Sequence, residues 1–165
     1  MDAFPLVTVP AKSLREPSQE VPVAEITTPE FQSFLDQLAY TMVVADGVGI
    51  AAPQVGKNIR AIVVASKHGP TCYINAEITK ASEAMTESPE GCLSVPGKYG
   101  LVDRHKKVTV TALDRHGRKC ELDLRNFEAI VFQHEIDHTN GILFIDKAKK
   151  VIEDAIKCAQ DHSHM

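Results

Sequence analysis

Residues 133–141 read QHEIDHTNG, and within them His134, Glu135 and His138 stand in H-E-x-x-H order. On a helix, a spacing of four brings two imidazoles onto one face within reach of a single ion. The carboxylate beside the first then comes near the ion's open position. The chemistry on offer is metal-assisted hydrolysis, with Glu135 as proton acceptor for an attacking water. The pattern supplies two ligands and a base but neither a third ligand nor a substrate. A zinc endopeptidase, another metallohydrolase and a helix whose histidines bind nothing are all open on these residues alone. Asp137, one position before His138, points off the shared face, so it belongs to the helix surface or orients a neighbouring group.

A catalytic divalent ion takes three protein ligands and keeps one position for water. Residues 88–97, SPEGCLSVPG, offer Cys92 in a glycine- and proline-bounded stretch, with Glu90 two residues earlier. A thiolate there would offset one unit of the ion's charge. Residues 47–56, GVGIAAPQVG, surround Gln54 with small residues. Small side chains let a backbone approach a ligand closely, and a glutamine amide can donate to a developing oxyanion. No Gly-Lys-Ser/Thr follows and no dinucleotide fingerprint fits, so a phosphate loop is excluded. A loop that merely enters a strand is the alternative.

These side chains need elements to hold them. Thr27, Thr28, Pro29 and Glu30 start a helix with a hydroxyl cap, a proline in the first turn and an acid at the positive end of the dipole. Phe31, Phe34, Leu35, Leu38, Met42 and Val43 give it one apolar face, and it should end before Gly47. Residues 59–65 and 71–79 are rich in β-branched side chains. Residues 107–113 alternate, and 114–117 turn the chain toward 120–124, so these read as antiparallel strands. Asn126 is the expected cap of a second helix reaching Asn140, with Gly141 just past its end. Phe127, Ile130, Val131, His134 and His138 share one face of it, so the histidines point inward, toward the sheet.

Residues 142–145 read as a short strand-like piece, and 147–160 as a third, amphipathic helix carrying Val151, Ile152, Ala155, Ile156 and Ala159 on one side. Lys147, Lys149 and Lys150 at its start could meet a polyanion such as ribosomal RNA or form a solvated face. Residues 7–23 hold three prolines and read as an extended segment laid across the domain. The fold class expected is α+β: antiparallel β-sheets packed around a central metal-binding helix, with an N-terminal and a C-terminal helix. One catalytic domain is expected over 1–165, its first 24 residues an extended segment and 147–165 a helix and tail.

A chain of 165 residues can bury a substantial core, and 44% hydrophobic with 24% charged residues is globular composition. A formal net charge of −4 argues against direct, sequence-specific nucleic-acid binding. No apolar run of about 18 residues and no signal-peptide pattern occurs, so the expected compartment is cytoplasm. Cys72, Cys120 and Cys158 are expected as free thiols rather than a disulfide framework.

Taken together, GVGIAAPQ at 47–54, EGCLS at 90–94 and QHEIDHTNG at 133–141 resemble, in this order, the three motifs of the peptide deformylase family. The resemblance extends to LREPS at 14–18 and GLVDR at 100–104, and so covers the chain to about residue 146. It implies a hydrolase that removes the N-formyl group from the N-terminal methionine of newly synthesised polypeptides and releases formate. Cys92, His134 and His138 would bind the metal with water as fourth ligand. Glu135 would serve as base and then as acid toward the departing amine. Gln54 and the Leu93 backbone N–H would hold the oxyanion. Val48 and Gly49 would pair with the substrate backbone, Phe127, Ile130 and Val131 would line the methionine pocket, and Glu90 would hold the Cys92 loop.

The family's metal is typically ferrous iron, replaceable by zinc, nickel or cobalt, and the residue set suits several first-row ions. The implied partners are N-formylmethionyl nascent peptides and the ribosome near its exit tunnel, with no membrane, in a bacterial cytoplasm, a phage-encoded setting or an organelle. The chain departs from many bacterial members at Lys98 and Tyr99, where an arginine contacts substrate, and at Thr139, commonly apolar, where the expected effect is on packing. A protein that binds formylated peptides without turnover is the reading this altered loop would favour.

Overall fold

In the computed structural model, which describes residues 1–153, Thr28 caps helix α2, Pro29–Val44, by accepting the Phe31 N–H at 3.3 Å, one turn after the short α1, Val23–Ile26. Pro29 sits at N1, where its missing N–H leaves nothing unpaired. Phe31, Leu35, Leu38 and Met42 are buried, one helical stripe. Val43, expected on that stripe, is instead 57% exposed, because its neighbour Met42 takes the inward position at this last turn.

The strands follow as β1 Gly49–Ala51, β2 Ala61–Ser66, β3 Gly69–Ala81, β4 Met85–Cys92, β5 Val95–His105, β6 Lys107–Leu113 and β7 Lys119–Arg125. They form one five-stranded antiparallel sheet in the order β1-β2-β3-β6-β7 and a second sheet of β4, β5 and the last strand, β8, Lys150–Glu153. The β6–β7 turn is built as its sequence asks: Asp114 accepts the His116 and Arg118 N–H groups on its side chain, and Gly117 takes φ +79°. Helix α2 packs on one face of the larger sheet, burying Ile50, Ala61, Val63, Cys72 and Ile74. Helix α3, Asn126–Thr139, packs on the other, against Ile62, Val64, Val108, Val110 and Leu124. A third cluster joins Leu14, Cys92, Val95, Val102, Leu143 and Phe144 under the smaller sheet. The fold is therefore α+β, with α3 central.

Two strands have no counterpart among the expectations, and three expectations change. Strands β4 and β5 carry no apolar alternation because their inward positions include Ser88, Glu90 and Arg104. Asn126 does not cap α3 with its side chain; its backbone is left-handed, φ +57°, and its N–H donates to the Lys106 carbonyl. The strand-like piece at 142–145 is interrupted by a one-turn helix, α4, Phe144–Lys147, whose Asp146 accepts the Leu143 N–H at 2.9 Å. The helix expected over 147–160 is contradicted at Lys150–Glu153. These residues pair antiparallel with 98–101 of β5, where β-branched Val151 and Ile152 suit a pleated edge. The remainder of that expected helix, with Cys158, lies outside the described residues.

Lys147 and Lys149 are not bare either: Lys147 pairs with Asp137, and Lys149 with Glu87 and Asp103. Among the described residues, Cys72, Cys92 and Cys120 are free thiols, and no helix is long and apolar enough to cross a membrane.

Candidate metal centre

Helix α3 is buried almost continuously from Val131 to Thr139, so its polar residues face protein rather than water. His134 and His138, one turn apart, have ring centroids 5.0 Å from each other. Cys92 ends β4, and Leu93 and Ser94 form the two-residue turn into β5. That hairpin end meets α3, and Cys92 Sγ lies 3.4 Å from His138 Nε2. The candidate ligand atoms of Cys92, His134 and His138 all fall within 4.8 Å of one another, and all three residues are buried. Residues from two elements 46 positions apart thus converge on one point.

Glu90 orients His134. Its Oε1 lies 2.9 Å from His134 Nδ1, while Arg104 donates to both its oxygens at 2.8 and 2.9 Å. Burial alone would raise the Glu90 pKa, but the bonds from Arg104 and His134 outweigh it and hold the carboxyl down at about 2. An ionised carboxylate can only accept, so Nδ1 carries a proton and Nε2 is the nitrogen left to face a metal. His134 Nε2 has no hydrogen-bond partner among the described residues although it is buried. A buried imidazole nitrogen beside a sulfur and a second imidazole makes a soft-to-borderline donor set that fits a first-row divalent metal. The Sγ to Nε2 separation also fits: two ligands at about 2.0 and 2.3 Å on a tetrahedral ion stand about 3.5 Å apart.

Arg104, the last residue of GLVDR, is the site residue to which the sequence assigned no role. It is 2% exposed and reaches past Glu90 to Asp137, whose Oδ2 accepts from its Nη1 at 2.7 Å. Asp137 is therefore an orienting partner rather than helix surface. The available signal was positional: Gly100, Val102 and Arg104 alternate inward on β5, and a cation in such a row needs buried carboxylates. Gln133 adds a second tie, with its side-chain amide bonded to both the N–H and the carbonyl of His105 at 2.9 Å.

Glu135 is fully buried, and neither of its oxygens has a partner among the described residues. Burial pushes its pKa up to about 7. It faces Gly49 so closely that a Cβ there would stand 2.5 Å from its Oε2. Gly49 lies on β1, the edge strand of the larger sheet. Val48 precedes it, half-buried, its carbonyl accepting from Ala65 N–H. Gln54 is fully buried, with its Nε2 3.6 Å from Cys92 Sγ. Leu93 is half-buried at the hairpin tip beside Cys92. Of the three apolar residues on the histidine face of α3, Val131 is buried, Ile130 half-buried and Phe127 50% exposed.

Burial and spacing bring to one locus three side chains that could hold a metal ion, a buried carboxylate and a side-chain amide. A family model described as polypeptide deformylase matches residues 3–153. The peptide deformylase of Halothermothrix orenii is 48% identical over 141 residues, 84% of this chain and 90% of that protein. That of Symbiobacterium thermophilum is 46% identical over 150 residues, 89% of this chain and 67% of that protein. Among solved structures, the peptide deformylase of Thermotoga maritima superposes with a TM-score of 0.86 at 32% identity, covering 91% of this chain and all of that one. A class I type b peptide deformylase of Acinetobacter baumannii bound to Met-Ala-Ser gives 0.84 at 33% identity, covering 88% and 98%.

Proposed function

Because the chain belongs to the polypeptide deformylase family, we propose that Cys92, His134 and His138 hold its metal and that Glu135, Gln54 and Leu93 carry the chemistry. The protein is a metal-dependent hydrolase that removes the N-formyl group from newly synthesised polypeptides and releases formate. The observation that supports the site assignment is the buried convergence of the three ligand atoms beside a Glu135 carboxylate that has no partner among the described residues.

When bound, the metal supplies a Lewis acid that polarises the formyl carbonyl and makes water more acidic. Ferrous iron is the proposed ion, with zinc, nickel and cobalt as functional replacements, since thiolate and imidazole donors accept each of them. Glu135 takes a proton from the attacking water, whose oxygen bonds to the formyl carbon. It then returns the proton to the amine nitrogen as the C–N bond breaks, leaving formate and a free N-terminus. Burial, which disfavours the charged carboxylate, suits a group that must both accept and donate a proton. The Gln54 amide and the Leu93 N–H donate to the formyl oxygen as it gains charge.

The open edge of β1 at Val48 and Gly49 suits pairing with an extended peptide, an added strand. Phe127, Ile130 and Val131 are proposed to line the methionine pocket, and the exposure of Phe127 suits a residue at a pocket mouth. The A. baumannii structure with Met-Ala-Ser favours a methionine-first substrate here as well. We read residues 1–165 as one catalytic domain acting on N-formylmethionyl nascent peptides at the ribosome, in the bacterial cytoplasm where such chains are made.

Formate release from a formyl-methionyl peptide, measured with protein loaded anaerobically with iron or nickel, tests the assignment. Protein with metal bound through Cys92 and no formate produced would refute it.

A further inference from the structure

The Gln54 side-chain amide is held on two sides. Ala51 N–H donates to its Oε1 at 2.9 Å, while its Nε2 donates to Ser94 Oγ at 3.2 Å and faces Cys92 Sγ at 3.6 Å. A backbone N–H can only donate, so Ala51 decides which end of the amide is oxygen. That leaves two hydrogens on Nε2. Ser94 Oγ is placed to take one, and the other is left for the Cys92 side of the site.

Ser94 is itself fully buried in the turn after Cys92. The backbones of the two residues are braced by a single stretch of chain: Val7 N–H donates to the Gln54 carbonyl at 2.8 Å and Val9 N–H to the Ser94 carbonyl at 2.9 Å. Val7 and Val9 are two residues apart and so span at most about 7 Å. The N-terminal segment therefore limits how far the Gln54 loop and the Cys92 hairpin can separate. The same segment continues to α3, where Ser18 N–H donates to the Thr139 carbonyl just past His138.

We propose that Ser94 is a positioning residue for Gln54: its hydroxyl takes one amide hydrogen and so keeps the other aimed at the formyl oxygen as that oxygen gains charge. This rests on the reading of Gln54 as an oxyanion donor. Without the hydroxyl, the amide has an unpaired buried N–H and turns about its last torsion, which is broad and weakly restrained by itself. The loss falls on the transition state more than on ground-state binding, so it appears in kcat rather than KM.

The test is a double-mutant cycle in the metal-loaded full-length protein. Gln54→Ala lowers kcat by about 10²–10³. Ser94→Ala lowers kcat about tenfold with KM within about twofold, the scale of one hydrogen bond. In the Gln54→Ala background, Ser94→Ala adds no further loss, because the residue it serves is gone. Cobalt-substituted Ser94→Ala keeps the wild-type visible absorption and one cobalt per chain, and Ser94→Thr, which retains a hydroxyl, recovers kcat to within about threefold of wild type. Full kcat in Ser94→Ala, an undiminished Ser94→Ala loss in the Gln54→Ala background, an altered cobalt spectrum, or a threonine variant as slow as the alanine one overturns the proposal. Full kcat in Gln54→Ala overturns instead the role given to Gln54, a separate failure.

Discussion

Arg104 on β5 grips Glu90 on β4 through two parallel bonds, Nε to Oε2 at 2.9 Å and Nη2 to Oε1 at 2.8 Å, with both side chains almost wholly out of water. The same guanidinium reaches Asp137 on α3. One cation therefore bridges two buried carboxylates and ties the cysteine-bearing strand to the histidine-bearing helix.

Arg104→Met should destabilise the protein by about 3–5 kcal/mol, because it strands buried charge rather than merely losing a contact. Glu90 would also be less able to hold His134, so metal content should fall. Urea unfolding combined with metal analysis checks both. A variant with the wild-type midpoint and full metal would show that the network is dispensable.

Metal removal should lower stability, because the buried His134 Nε2 and the Glu135 oxygens have no partner among the described residues. At a free metal concentration 100 times the dissociation constant, binding contributes about 2.7 kcal/mol. Thermal unfolding with and without chelator, under anaerobic conditions, should reveal the difference. In Cys92→Ala the chelator should have little further effect.

Gly49→Ala places a methyl 2.5 Å from Glu135 Oε2 and 2.9 Å from its Cγ. Glu135 must move, and β1 with it. The expected result is a fall in kcat of at least about 10²-fold from misplacement of the base. Metal content should be kept, and the stability cost is about 1–3 kcal/mol from overpacking. A fully active Gly49→Ala protein would contradict the close approach of Glu135 to β1.

Asp146 gives a pH-dependent term away from the metal. Partial burial would raise its pKa, but bonds from Arg15 and the Leu143 N–H prevail and hold it below the ordinary 3.8. A carboxyl depressed in the folded state contributes stability that is present above its unfolded pKa and lost as pH falls through the folded one. Asp146→Asn should therefore be less stable than wild type at pH 5–7, and the gap should narrow as the pH falls below the ordinary 3.8. Denaturant midpoints across that range measure it; a gap that does not change with pH would assign the loss to packing instead.

The extent to which the molecule is legible in its sequence depends on how local each feature is. The α2 start at Thr28 and Pro29, the β6–β7 turn at Asp114 and Gly117, and the four-residue spacing of His134 and His138 are short-range patterns, and the structure realises each. Strands β4 and β5 were hidden because their buried side carries Ser88, Glu90 and Arg104, which make sense only against each other and α3. The chain at Lys150–Glu153 carries an apolar pattern compatible with a helix, yet pairs with β5 because an unpaired strand edge lies beside it.

By itself, then, the sequence determined the chemical inventory: which residues can bind metal, accept a proton or donate to an oxyanion, and the local elements on which most of them sit. Tertiary structure alone decided that Cys92 meets His138 from 46 residues away, that Arg104 joins Glu90 and Asp137, and that Ser94 lies against the Gln54 amide. The physical reason is that a hydrogen bond or ion pair between distant segments leaves no periodicity in either one. Such a contact exists only once burial has removed water as the competing partner and has made each polar group depend on the one that folding brings to it.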